Sequence, residues 1–514
     1  MASIIFEKTF GGWARQPEGI NSATGLSASV EGGKDEYAES DICSLFRLER
    51  LGDIAPGEMF QDMVGGTGFI SSLVLNGVVA STGRAFVVQD NAEVAFFDVI
   101  DDIIDGTYAI SGTQHVTTDD NDILAYQTTD GSEFIIWTWT QGTGTGSYSD
   151  IAQIRSSGAN KSENWFSGLT GSAKLTANVP HKLWVGPDGI VYGTNGQYIL
   201  SHDPGTTTSG NAQALNLGPN RVGVAGTIYG NYNAIVVRSK TLSGFAQAQS
   251  WLFLWDGFSP DPNFVFELED YLVTGIINKD GQLRIFTQGR DNMTRIKTLS
   301  GNNIVTLFEH LAISNSPKQG SISINKNMVI WGQDGGTSFN ISALMDLANG
   351  RVGHHEIAYP HLATTTIADI GMVKQLSANY VYAGNKVGSS YFLLRNNASS
   401  YYPNAQWRSA LKTIPYNSTI TKVRFRFSQF GSGASFTASL FEARDAMSVG
   451  GANDLLNKQI TQATWGSVDE VSIPVYIPNI SSFYMNIKFD HTSATDTAAI
   501  IQLIEVEYFT KQNT

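Results

Sequence analysis

The side chains best equipped for chemistry are few and scattered. His354-His355-Glu356 with His361 is the densest group of metal-capable residues. A structural zinc site needs four converging ligands, and neighbouring histidines on a strand face opposite ways. These therefore read as surface or turn residues. Asp98, Asp101, Asp102 and Asp105 form one acidic cluster, and Asp119-Asp120-Asn121-Asp122 another. Calcium takes its oxygens from a loop of set spacing closed by a glutamate, and neither stretch has that order. Solvated acidic turns are the reading, with a bound metal as the minor alternative for all three groups.

Two glycine-rich stretches fail as phosphate loops. Gly142-Thr143-Gly144-Thr145-Gly146-Ser147 has no helix after it to supply an N-terminal dipole. Gly32-Gly33-Lys34 has Ala28 where a phosphate loop has its first glycine, and Asp35 where Ser or Thr would hold magnesium. Neither Gly-x-Ser-x-Gly nor His-Glu-x-x-His occurs. No catalytic residue, cofactor site or metal ligand is assigned, and the reading is not an enzyme. Flat aromatic faces beside polar groups are more telling, because they suit sugar stacking or subunit contact. Tyr401 and Tyr402, in a turn-like stretch, with Trp407 and with Trp13 near the N-terminus, are the candidate contact residues. For Trp137 and Trp139, packing between sheets is at least as good an account.

Composition narrows the class. The chain has 514 residues, 42% of them apolar and only 16% charged, with 52 glycines. Helix surfaces favour Glu and Lys, so this balance suits short strands joined by tight turns. A net charge of −14 repels phosphate backbones, which makes nucleic acid an unfitting partner. The single Cys43 permits no intrachain disulfide. The start, Met1 to Lys8, lacks the features of a signal peptide, and no apolar run is long enough to span a bilayer. Synthesis in the cytoplasm and a soluble product are expected.

The elements that must carry these residues are strands. From about residue 45 to 410, apolar runs alternate with Asn-Gly and Asp-Gly turns. Examples are Leu73 to Val79 around Asn76-Gly77, and Leu124 to Trp137 around Asp130-Gly131. Further units run from Leu183 to Leu200, from Thr227 to Trp255 and from Leu272 to Phe286. The last two are Ser321 to Trp331 and Tyr380 to Leu394. They recur roughly every 40–50 residues, the spacing of four-stranded propeller blades, and number about seven. A small twisted sheet cannot bury both faces alone, whereas a ring of them can. Residues 1–44 alternate little and read as an extended arm with at most one short strand. Residues 411–514 hold alternating runs such as Ile420 to Phe427 and Ile500 to Phe509, and read as a β-sandwich or jelly roll. Helix is expected at most as short turns at Ile341–Leu347 and Ala452–Lys458.

The fold class is therefore all-β: an arm (1–44), a propeller of about seven blades (45–410) and a sandwich (411–514). This layout resembles tail-associated propeller proteins of tailed bacteriophages, of the nozzle, tail-tip or fibre-adaptor type. The resemblance rests on the arm Gly11-Gly12-Trp13-Ala14-Arg15-Gln16-Pro17-Glu18-Gly19-Ile20-Asn21, the degenerate Asp-Gly blades, and the sandwich ending Ile504-Glu505-Val506-Glu507-Tyr508-Phe509. It implies a structural protein of the virion that assembles as a homo-oligomer. Its partners would be other virion proteins, with a host-surface glycan or receptor as a further one. The chain is shorter than nozzle proteins and ends in an autonomous-looking sandwich. The alternative is a carbohydrate-active propeller enzyme with an ancillary sugar-binding sandwich, which needs arginines and acids clustered at the central pore.

Overall fold

The computed structural model describes the side chains of residues 121–127, 134–141, 148–155, 165–166, 173–204, 210–242, 248–309, 317, 319–324, 328–332, 342–344, 412–442, 455–462, 464–465, 468–490 and 499–510. Elsewhere the description extends to the backbone of the strands named here.

Six strands come first: β1 (Ala2–Glu7), β2 (Gly12–Trp13), β3 (Glu36–Asp41), β4 (Cys43–Arg47), β5 (Arg50–Pro56) and β6 (Glu58–Asp62). Blade 1 is β7 (Val78–Ser81), β8 (Arg84–Val88), β9 (Val94–Asp98) and β10 (Ile104–Tyr108). Blade 2 is β11 (Gln114–His115), β12 (Ile123–Gln127), β13 (Glu133–Gln141) and β14 (Tyr148–Arg155). Blade 3 follows as β15 (Leu183–Val185), β16 (Val191–Asn195), β17 (Tyr198–His202) and β18 (Asn211–Asn216). Blade 4 is β19 (Arg221–Tyr229), β20 (Tyr232–Ser239), β21 (Ser250–Trp255) and β22 (Phe264–Glu267). Blade 5 is β23 (Leu272–Lys279), β24 (Gln282–Gln288), β25 (Met293–Ser300) and β26 (Asn303–Leu311). Blade 6 is β27 (Ile322–Asn325), β28 (Met328–Asp334), β29 (Phe339–Asp346) and β30 (Val352–Ala358). Blade 7 contains β31 (Asp369–Gln375), β32 (Val381–Val387) and β33 (Ser390–Tyr401). The chain finishes with β34 (Gln406–Ser409), β35 (Lys412–Phe430), β36 (Ser435–Glu442), β37 (Asp454–Thr461), β38 (Glu470–Phe489) and β39 (Ala499–Thr510).

The fourth strand of blade 7 is β6. It pairs antiparallel with β33, Leu394 opposite Asp62 and Asn396 opposite Phe60, some 330 residues away along the chain (394 − 62 = 332). The innermost strands β7, β12, β15, β19, β23, β27 and β31 each adjoin the next, and β31 adjoins β7. The described strands thus form a seven-bladed β-propeller whose ring is closed by a strand from near the N-terminus. Closure of this kind leaves only short outer edges exposed.

Apolar layers between blades hold the ring. Tyr126, Phe134, Ile136 and Ile151 of blade 2 pack on Leu183, Val191 and Leu200 of blade 3. Between blades 3 and 4 the layer holds Trp184, Tyr192, Ile235, Phe253 and Trp255. Trp137 and Trp139 are fully buried, so they are packing residues. The Asp-Gly signal is also realised: Asp280 (φ 52°) and Gly281 (φ 80°) form the turn between the paired Lys279 and Gln282. Two successive positive φ values define a type I′ turn, whose twist matches that of the strands.

A polar fastening recurs where one blade leads into the next. Thr138 on β13 donates through Oγ1 to His181 O and accepts from Asp122 N at 2.9 Å. Thr194 on β16 accepts from Lys182 N and donates to Pro180 O. Thr287 on β24 donates to Asp270 Oδ2 at 2.6 Å. Each threonine supplies a hydrogen bond to buried polar groups of the incoming connection.

The remaining strands build an eleven-stranded sheet, with β2-β3-β34-β38-β35-β39-β5-β4 as its main path. It folds over through the 20-residue β38, whose first part pairs with β35 and whose last part pairs with β36 and β34. Phe425 of one layer meets Phe436 of the other edge-on at 5.4 Å, the packing of a sandwich. Val423, Phe425 and Phe427 point inward from β35, while Lys422, Arg424 and Arg426 point outward. Arg424 pairs there with Glu505 and Glu507 on β39, both at 3.1 Å. The same core takes in Met328, Ile330 and Ala343 of blade 6, so the sandwich is packed against the propeller.

Three local expectations differ from the structure. Residues 1–44 contribute β1, β2, β3 and the start of β4 rather than an arm with one short strand at most, and β1 pairs along β39 from Ala2↔Tyr508 to Glu7↔Leu503. Pairing with the far end of the chain leaves no mark on local alternation. Of the stretches expected as helical turns, residues 341–346 lie in β29 and residues 454–458 in β37, where cross-strand pairing overrides weak local propensity. The hairpin expected at Asn76-Gly77 lies outside the described residues, as does the turn at Asp130-Gly131.

Candidate interaction surface

The candidate contact residues are spread over two parts of the molecule. Trp13 lies on β2, paired with Tyr37, and Trp407 lies on β34 between Ser40 and Ile487. Both therefore enter the folded eleven-stranded sheet. Tyr401 is the last residue of strand β33, opposite Glu58, rather than part of a turn. The side chains of all three, and Tyr402 altogether, lie outside the described residues. So do the Gly142–Ser147 loop, the side chains of His354, His355 and Glu356, and His361.

The residues that shape a described surface are others. In blades 3 to 5, one end of the ring is built from the turns between first and second strands and between third and fourth strands. The β21–β22 connection, Asp256 to Asn263, stands out there. Asp256 Oδ1 accepts from Phe258 N (2.9 Å) and Ser259 N (2.8 Å), and Oδ2 accepts from Ser259 Oγ (2.7 Å) and Asn263 Nδ2 (3.1 Å). Asn263 Oδ1 in turn accepts from Asp256 N, and Trp255 donates its indole N–H to Ser259 O. These donors, led by the Ser259 amide, hold the Asp256 carboxyl far below the usual range. At the tip of this fastened loop, Phe258 is 79% exposed.

The neighbouring blade completes the surface. Tyr192 Oη donates to Asp188 Oδ2 at 2.6 Å, and Tyr126 Oη donates to Gly189 O at 2.7 Å. Burial, then the bond to Asp188 and the charges of Asp188 and Asp256, push the Tyr192 phenol far above its ordinary value. Burial raises Tyr126 too, followed by the charges of Asp203 and Asp188. Gly257 (φ 91°) seats the loop here: a Cβ at that position would stand 2.7 Å from Tyr192 Oη. Asp188, Asp203 and Asp256 thus share one field, with Asp261 on the same loop as Asp256. The described cations at this end of blades 3 to 5, Lys279 and Arg284, are both buried. An acidic, aromatic-tipped surface results.

Other buried carboxylates serve the fold. Asp122 was expected in a solvated turn, yet it is buried and accepts from Ile123 N and Leu183 N, joining blade 2 to blade 3. Asp150 Oδ1 accepts the amides of Ile151, Trp165 and Phe166. Of the seven innermost strands, β7, β12, β15, β19, β23 and β27 carry neither Asp nor Glu, while β31 begins with Asp369. Among the described residues no group of three or more His, Cys, Asp or Glu is placed to hold a metal ion, and no helix is long and apolar enough to cross a membrane.

The sequence carried a partial signal for this surface. Asp256-Gly257 and Asp188-Gly189 have the turn chemistry of the other blades, and Pro260 and Pro262 mark a loop. That Phe258 faces outward follows only from how Asp256 ties the loop.

No family model matches the chain, and no curated protein sequence matches it. Solved structures similar to it include WD40 repeats and a β-propeller domain. The RRP9 WD40 repeats align with TM-score 0.45 and 10% identity, over 67% of this chain and all of that one. The β-propeller domain of Cps50 (Swd1) from Myceliophteria thermophila gives 0.42 and 8%, over 64% of this chain and 98% of that one. The PQQ-bound aldose sugar dehydrogenase of Streptomyces coelicolor gives 0.37 and 12%, over 65% and 97%.

Proposed function

We propose that this chain is a non-catalytic structural protein of a tailed-phage tail, a rigid platform on which other virion proteins dock. The observation that carries the docking role is Phe258, a large apolar side chain held in water by a loop that Asp256 ties down through four accepted bonds. Exposing such a ring costs about 1.5–3 kcal/mol relative to burying it, and fastening its loop lowers the entropy lost on binding. The tail assignment draws on the arrangement of N-terminal strands, degenerate Asp-Gly blades and a terminal sandwich.

Electron microscopy tests this reading. Particles carrying a tagged copy should show the label at the tail, and the purified chain should form a ring or an elongated oligomer. Unlabelled tails, together with monomers alone at high concentration, would overturn it. Turnover of a glycan, abolished by a single Asp or Glu substitution, would install the enzyme alternative instead.

A further inference from the structure

The outer edge of blade 4 differs from those of blades 3 and 5, and from the uninterrupted but largely buried outer strand β14 of blade 2. On β18 the most exposed residues are Asn211, Gln213 and Asn216, and its pairing with β17 is broken by a register shift. A shift also interrupts the pairing of β26 with β25. By contrast, β22 pairs with β21 without interruption and presents Phe264 (49% exposed) and Val265 (51%). Bulges, lysines and prolines are among the devices that keep an edge from pairing, and none lies within β22, a four-residue strand whose one charge is the terminal Glu267.

The hydrogen-bonding phase of this edge follows from one bond. Leu268 N donates to Ser250 O, and two-residue alternation makes Phe266/Leu252 the next bonded pair, while at the start of the strand Leu254 O accepts from Asn263 N, one residue out of step. The N–H and C=O of Val265 therefore point away from β21, and the residue is half exposed. Beside the strand, Phe264 meets Tyr232 edge-on at 5.8 Å and stacks with Phe266 at 6.5 Å. The outer strand of blade 5, β26, adjoins β22 and adds Val305, which is also exposed. Backbone groups ready to pair, flanked by apolar side chains, are what strand addition uses.

Charge selects the occupant. The N-terminal end of β22 abuts the surface bearing Asp256, Asp261, Asp188 and Asp203, where the described cations are buried. The whole chain carries −14, so a second copy would bring like charge to this edge. We propose that β22 receives an extended, lysine- or arginine-bearing segment of another protein, added as a fifth strand to blade 4. This rests on the docking role proposed above and specifies the chemistry of one partner.

The test uses the full chain and a synthetic decapeptide of alternating Lys and Val, followed by fluorescence anisotropy, with Glu/Val and Lys/Ser peptides as controls. Binding by the Lys/Val peptide alone, weakened by salt, is expected. Val265→Pro removes an N–H that makes no bond to β21, and Val265→Lys adds a like charge at the edge. Each should weaken binding at least tenfold, while Val265→Thr stays within about threefold. Should Val265→Pro fail to fold, the Lys and Thr variants decide. Equal binding of the Glu/Val or Lys/Ser peptide, undiminished binding by the folded variants, or no binding of the Lys/Val peptide would overturn the proposal. Tail labelling by microscopy would be untouched by such a failure, so the two readings fall separately.

Discussion

Asp270, in the connection from blade 4 to blade 5, offers the sharpest test of how the ring is held. Its side chain is 6% exposed and accepts from Arg295 Nη1 at 2.9 Å, while Oδ2 lies 3.0 Å from Lys297 Nζ. Thr287 Oγ1 donates to the same oxygen, and Asp270 O accepts from Ser250 Oγ. Lys297 is itself only 4% exposed, so Asp270→Ala leaves a buried ammonium held by Leu268 O at 2.5 Å. Breaking a buried pair from one side costs about 3–5 kcal/mol, mostly through the charge left behind. Arg295 loses less, because Asp291 and Glu309 still hold it. Urea unfolding followed through the tryptophans should show the propeller transition moving down on the order of 1 M. The double variant Asp270→Ala/Lys297→Met removes the stranded charge and should recover at least about 1 kcal/mol of the loss. A single variant within about 1 kcal/mol of the parent, or a double variant no better than the single, would refute the reasoning.

Two further outcomes are expected. His202 stacks on Trp165 with centroids 3.3 Å apart, and burial pulls its imidazole down to about 3, below an unfolded value of about 6.5. Its contribution is full above the unfolded value and lost as pH falls toward 3, because the unfolded chain takes up a proton that the folded chain refuses. That amounts to about 4–5 kcal/mol across the window, and His202→Phe should flatten the curve in a pH series of unfolding midpoints. At Gly226, a Cβ would stand 2.6 Å from Trp184 Cε2, and that ring is tied through Nε1 to Asn233 Oδ1 at 2.9 Å. Gly226→Ala should therefore cost about 1–3 kcal/mol by calorimetry, and full stability would show that the blade 3–4 layer yields more than its packing allows.

The order of residues along the chain determined the strand-and-turn grammar. Alternation such as Val423, Phe425 and Phe427 against Lys422, Arg424 and Arg426 dictates one buried and one wet face, and Asp280-Gly281 dictates its turn, because both act within a few residues. The recurrence of such units at blade spacing carried the closed ring, since no single small sheet can bury both its faces. Only the tertiary structure decided which strands meet across hundreds of residues. Nothing local in Glu58–Asp62 marks it as the final strand of blade 7, and nothing in Ala2–Glu7 marks it as the partner of β39. The same holds for the surface: Asp122 was legible as acidic but not as buried, and Phe258 as apolar but not as exposed. Burial is a property of the assembled neighbours, and those neighbours come from blades folded together in space.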